Sequence, residues 1–126
     1  MARHVLSWRS TKKRSLYFVE AENGLIKIGI TDDLEKRLRV LQDGSPVALT
    51  LLLAVPGTAR QEGTLHGRFI DERSHGEWFR GSARLRVFIE ELRSLDSVAL
   101  SRRLRNLKTI KRESPRLMAR RLPKVA

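Results

Sequence analysis

Glu62 stands where the sequence pattern asks for an apolar side chain. Leu65 and Phe69 mark the buried stripe of a helix, and Glu62, three residues before Leu65 and seven before Phe69, falls on that stripe. His66, four residues on, shares its side. An unpaired carboxylate is rarely tolerated in such a place. It must be paired, bound to a metal ion, or set at the open end of the stripe facing a cleft. Arg37 is the candidate partner. It lies between Leu34 and Leu41 at helical spacing, at the edge of another inner face, while Lys36 and Arg39 point away. An Arg37–Glu62 ion pair packing two helices is one reading, although such pairs say little about stability. A guanidinium aimed into a cleft is the other. For His66 alone, a histidine making one hydrogen bond is the simplest account.

Tyr17 and Lys27 are tied to strand faces. Leu16 and Phe18 share one face of a strand over Leu16–Glu20, and Tyr17 and Val19 share the other. Asn23-Gly24 predicts a hairpin turn into a partner strand over Leu25–Ile30. There Ile26, Ile28 and Ile30 line one face, with Lys27 and Gly29 opposite. Lys27 is then either a solvated lysine or, through the hairpin pairing, a neighbour of Tyr17. In the second case its charge would lower the phenol's pKa or meet a phosphate.

The remaining elements follow from capping and periodicity. Asp32 as N-cap with Glu35 starts a helix to about Leu41, with Leu34, Leu38 and Leu41 on one stripe. Gly44-Ser45-Pro46 breaks it. The apolar run Val47–Val55 predicts a fully buried central strand. Thr58 with Gln61 opens a second helix to about Arg73, weakened by Gly63 and Gly67. Ser74-His75-Gly76 predicts a turn and Glu77-Trp78-Phe79 a short extended piece. Ser82–Leu92 forms a third helix with Leu85, Phe88, Ile89 and Leu92 inward. Leu100, Leu104 and Leu107 give a basic amphipathic helix that frays before Pro115. This order predicts a small α/β or α+β sandwich around a three-stranded sheet.

At 126 residues, 40% apolar and 32% charged, the chain is one ordinary domain and not a disordered polyampholyte. It has no cysteine, which excludes a disulfide scaffold and a thiolate zinc site. No apolar run spans a bilayer, and the N-terminus lacks an apolar signal region, so a cytoplasmic protein with no membrane contact is expected. The net charge of +12 is uneven. Residues 1–14 hold five basic side chains and no acid; residues 97–126 hold ten and one acid; residues 15–96 stand at −2. A near-neutral domain over 15–96 is therefore expected between a basic arm at 1–14 and a basic, helical or unstructured tail at 97–126. Lys12, Lys13, Arg14, Arg102, Arg103, Arg105 and Lys108 are the candidate nucleic-acid contacts, acting by counterion release. Arginine predominates, and its planar fork suits phosphate. The alternatives are a solubilising tail, or a helix over 97–112 that docks into a partner's acidic groove.

Several of these residues occur together in a known pattern. Ser15-Leu16-Tyr17, a short hairpin, Lys27-Ile28-Gly29-Ile30-Thr31, then Arg37, Glu62-x-x-x-His66 and Gly76-Glu77-Trp78-Phe79 resemble the GIY-YIG endonuclease superfamily. The likeness is nearest to its small phage- and mobile-element-associated branch and covers roughly residues 15–92. It implies an α+β fold, a three-stranded antiparallel sheet flanked by helices. It also implies cleavage of a nucleic-acid phosphodiester with Mg2+ or Mn2+. By the same likeness Tyr17 is the general base or water-positioner, Lys27 replaces a second tyrosine, Arg37 stabilises the phosphate and Glu62 is the metal-ligating carboxylate. His66 would orient Glu62, hold a water or act as an alternative base. The family's late asparagine has no counterpart here. DNA is the expected substrate, with RNA open. A single site cuts one strand, so the protein works as a monomer or a dimer according to whether one or both strands are cut. The alternative is a non-catalytic nucleic-acid-binding protein that keeps the fold.

Overall fold

The computed structural model describes residues 14–108. The candidate contacts Lys12 and Lys13 lie outside the described residues. Strands β1 (Arg14–Ala21) and β2 (Leu25–Thr31) form the expected hairpin, turning at Gly24, whose φ of 87° suits glycine. Helix α1 (Leu34–Asp43) starts one residue later than expected, because Asp33 and not Asp32 accepts from the Lys36 amide. Strand β3 (Leu49–Gly57) and helix α2 (Ala59–Arg68) follow, the latter opened by the reciprocal Thr58/Gln61 capping box. A 3₁₀ turn at Ile70–Glu72 ends that helix before Arg73. Strands β4 (Arg73–His75) and β5 (Trp78–Arg80), helix α3 (Ala83–Ser94) and helix α4 (Ser97–Arg105) complete the α+β fold.

The sheet has five strands in the order β3-β1-β2-β5-β4, not three. Its pairs are antiparallel. The residues read as a turn and an extended piece form a second hairpin around Gly76 (φ 53°), and β5 pairs with β2. Each of its strands is only three residues long, too short for alternation to register in sequence. The run expected to be a central strand is instead the edge strand β3. Val55 is buried there, but Leu51 is 42% exposed. An unbroken apolar run signals two covered faces; this strand has one well-covered face and a free edge, part of which is occupied by the Arg93 guanidinium donating to the Leu52 carbonyl.

One face of the sheet carries the core. Leu16, Phe18, Ile26, Ile28 and Phe79 pack against Leu65 and Phe69 of α2 and the inner stripe of α3. Each fully buried side chain of this kind contributes about 1.5–3 kcal/mol. Leu104 of α4 joins this core, and Leu100 and Leu107 pack on it. The packed unit therefore runs past residue 96, and the apolar stripe of the basic helix covers its own domain. The other face carries Tyr17 and Val19, both buried. Leu34 of α1 lines a recess with Ser15 and Ala54 on that side. The Leu34/Leu38/Leu41 stripe is only half-buried, and no residue of α1 is fully covered.

A candidate active site at the edge of strand β2

Lys27-Ile28-Gly29 organises the site, and each residue acts by different means. Gly29 lies directly opposite Tyr17 in the register. A Cβ on Gly29 would overlap the Tyr17 ring and hydroxyl, so only glycine lets the ring cross β2 there. Ile28 acts through its main chain. Its N–H donates to the Glu77 carbonyl at 3.1 Å, and its carbonyl accepts from His66 Nε2 at 2.8 Å. Beyond Lys27 β5 no longer pairs with β2, and α2 takes over the edge. One peptide segment thus anchors both Glu77 and His66. Lys27 acts through its side chain, whose Nζ donates to Glu77 Oε1 at 2.8 Å and lies 5.8 Å from the Trp78 ring. It points away from the isoleucine face as expected. At 13% side-chain exposure, however, it is not a solvated lysine.

The Arg37–Glu62 ion pair, one of the two readings of these residues, does not form. Among the described residues Glu62 has no ion pair and its carboxylate no hydrogen bond. Glu62, His66 and Glu77, all half-buried, bring one potential ligand atom each to within 4.8 Å of one another. Burial, and then the Glu77 charge, push the Glu62 carboxyl above the usual carboxylate range, against the smaller pull of His66, Lys27 and Arg14. Two carboxylates crowd together, and the Lys27 ammonium is paired with Glu77 alone. A divalent cation is the group that such a donor set fits.

Tyr17 differs from expectation. Burial pushes its phenol up to about 12, outweighing the opposing Arg37 charge, while Glu77 and Glu62 push it further up. Lys27 stands opposite Val19, one diagonal step away, and its charge is engaged by Glu77. It does not lower the tyrosine's pKa. Tyr17 is thus a neutral hydroxyl donor near neutral pH, and a poor general base.

Arg37 is exposed and lines a cavity of about 370 Å3 with Arg14, Lys36, Asp32 and Asp33. Arg14 connects this cavity to the carboxylates, since it pairs with Asp32 at 3.5 Å and its charge is felt at Glu62. Tyr17 is within electrostatic reach of Arg37 on one side and of Glu77 and Glu62 on the other, while neither it nor the two acids line the Arg37 cavity.

The basic tail residues divide. Arg102, Arg105 and Lys108 are exposed. Arg103 donates to Glu91 at 2.7 Å and sits 5.4 Å from the Phe88 ring, which makes it a packing residue. For Glu77, as for His75, the sequence leaves open a place near the cleft or a mere turn beside Trp78. The signal for Glu77 was the Gly76-Glu77-Trp78-Phe79 string, and what the string lacked was any sign that it forms a strand against β2. His75 is exposed, bonded to Ser74 at 3.0 Å, and takes no part.

A family model, the T5orf172 domain, matches residues 14–99, more than half of the chain. The chain belongs to the T5orf172 domain family. No curated protein and no solved structure matches it. The T5orf172 domain is phage-associated and related to nucleases, and its match spans every residue of the site, from Tyr17 to Glu77. No helix among the described residues is long and apolar enough to cross a membrane.

Proposed function

We propose that this T5orf172 protein is a divalent-metal-dependent endonuclease of GIY-YIG type that hydrolyses DNA phosphodiester bonds, nicking or homing-like in action. The observation that carries the proposal is Glu62: a half-buried carboxylate without an ion pair among the described residues, crowded by Glu77 and His66. Structural acids are normally matched by a cation. This one is held ready for a charge that arrives later.

Glu62 would hold Mg2+ or Mn2+, which when bound offsets charge on the phosphate and favours ionisation of a water. The chain supplies the rest. Arg37, exposed and lining a cavity with Arg14, Lys36 and two aspartates, would present its planar fork to two phosphate oxygens. Tyr17, kept protonated, donates its hydroxyl to orient a water or a phosphate oxygen. His66 donates through Nε2 to Ile28, so that in the neutral ring Nδ1 is the lone-pair nitrogen. The exposed Arg102, Arg105 and Lys108 hold the duplex without reading its sequence.

A second reading, a nucleic-acid-binding protein that keeps this fold without catalysis, is favoured by the Lys27–Glu77 pair. There an ammonium already supplies positive charge to the acidic cluster. Relaxation of supercoiled plasmid with Mg2+ or Mn2+ decides between them. Nicking by the wild type that is lost in Glu62→Gln and Arg37→Ala supports the nuclease. DNA binding with no metal-dependent nicking above the level of those variants supports the binder.

A further inference from the structure

We propose that Glu62, His66 and Glu77 together form one ion centre of two carboxylates and an imidazole, which takes a first-row transition ion such as Mn2+ in preference to Mg2+, with Glu77 passing from the Lys27 ammonium to the ion. It deepens the nuclease reading and shares with it only the assignment of Glu62 as a ligand.

The placement is built in. Glu62 and His66 stand one turn apart on α2, whose first turn is locked by the Thr58/Gln61 capping box. Glu77 and His66 are both fastened to the main chain of Ile28, at 3.1 and 2.8 Å. The three ligand atoms lie within 4.8 Å of one another. Donors around an octahedral ion at about 2.1 Å are separated by about 3–4.2 Å, close to the spacing already present.

The imidazole is set in the form a metal needs. A carbonyl oxygen can only accept, so Nε2 carries the proton in the bond to Ile28, and in the neutral ring the lone pair is on Nδ1. Ligating histidines characteristically give their second nitrogen to a carbonyl in this way. An imidazole in the ligand set also decides the ion. Mg2+ selects oxygen donors and sheds its water reluctantly, whereas first-row transition ions gain from nitrogen.

Lys27 explains how the site stands without the ion. Its compact ammonium holds Glu77 at 2.8 Å beside Trp78. A divalent ion bound by Glu62 and His66 competes for the same carboxylate with twice the charge. Once Glu77 turns to the ion, the Lys27 ammonium is free to meet a phosphate oxygen, so metal binding would prepare the lysine for substrate.

The test measures metal binding by the full chain without DNA. Titration calorimetry with Mn2+ and with Mg2+ is run on the wild type and on Glu62→Gln, His66→Gln, Glu77→Gln and Lys27→Met. Pulsed electron paramagnetic resonance of the Mn2+-loaded wild type adds a second measurement. Expected are tighter binding of Mn2+ than of Mg2+ and nitrogen coupling to the bound Mn2+. Glu77→Gln and His66→Gln should each weaken Mn2+ by at least about 10-fold. His66→Gln should also erase the preference over Mg2+, and Lys27→Met should tighten Mn2+. Absence of nitrogen coupling overturns the proposal even where His66→Gln fails to fold. If Glu62→Gln alone loses Mn2+ binding, the three-ligand centre is wrong and the single-carboxylate nuclease stands. If Glu62→Gln binds Mn2+ like the wild type, both fall.

Discussion

Glu62 and Glu72 are ten residues apart, at either end of the same helical segment, and their surroundings are opposite. Glu72 is 6% exposed and fully answered. Arg84 grips both its oxygens at 2.9 and 3.0 Å, Ser82 donates at 2.9 Å, and Arg84 also reaches the Arg68 carbonyl at 2.7 Å. Those bonds hold the Glu72 carboxyl below the usual carboxylate range. Around it the Arg84 guanidinium lies over Phe69 and those of Arg68 and Arg103 over Phe88. Glu62 has no such partner among the described residues, and its carboxyl is pushed the other way, by burial and by Glu77. The protein can neutralise a buried acid thoroughly, and does so where the acid is structural. At the β2 edge it withholds that treatment, and this contrast is what the proposed role of Glu62 rests on.

The contrast can be broken with paired substitutions. Glu62→Gln should lower metal-dependent nicking by about 10²-fold or more, without loss of stability. The sign follows from the raised pKa: the charged form opposes folding above that pKa, so removing it leaves the melting temperature unchanged or higher at neutral pH, with no gain in acid. Glu72→Gln should do the reverse. It keeps nicking and costs about 2 kcal/mol at neutral pH. Because the folded pKa is depressed, that cost shrinks as pH falls below the unfolded value, and it is gone below the folded one. Melting curves across pH for both variants measure this, and equal losses would abolish the distinction.

Gly29→Ala comes next. Overlap with the Tyr17 ring should cost about 1–3 kcal/mol and lower nicking by displacing the hydroxyl, as denaturant unfolding and plasmid assays would show. Tyr17→Phe should lower nicking by about 10-fold and leave the shape of its pH profile unchanged, since a phenol with a pKa of about 12 does not titrate in the working range. A limb below about pH 10 that disappears in Tyr17→Phe would restore the tyrosine as base. The smallest effects belong to the tail. Arg102→Ala and Arg105→Ala should each reduce the salt slope of DNA binding by about 1. Arg103→Ala should leave that slope in place and lower stability instead.

How much was legible in the sequence depended on the range of the interaction. Caps and stripes are local. Thr58/Gln61 and the inward residues of α3 are found where the pattern puts them. The anomaly at Glu62 was legible too, because an acid on an apolar stripe shows in one helix alone. What lay beyond reach was set by pairing between distant segments. Nothing within residues 73–80 announces that they extend the sheet beside β2, so Glu77 could not be assigned to the cluster, nor Lys27 to Glu77. Val47–Val55 failed for the same reason, since a strand's rank in a sheet is decided by its neighbours. The Tyr17 pKa depended on burial and on charges from three other segments, none of them visible from an alternating strand.

The peptide groups flanking Ile28 have one further consequence. Side-chain scanning would score this isoleucine as greasy filler and miss what fastens Glu77 and His66 in place. An amide-to-ester exchange that deletes the residue's N–H would speak directly to that fastening: the side chain would stay in the interior while the β5 hairpin lost its footing. Drift in the length of the 69–76 connection would be felt at the same spot, so the reach of that loop is under as tight a constraint as any reactive group.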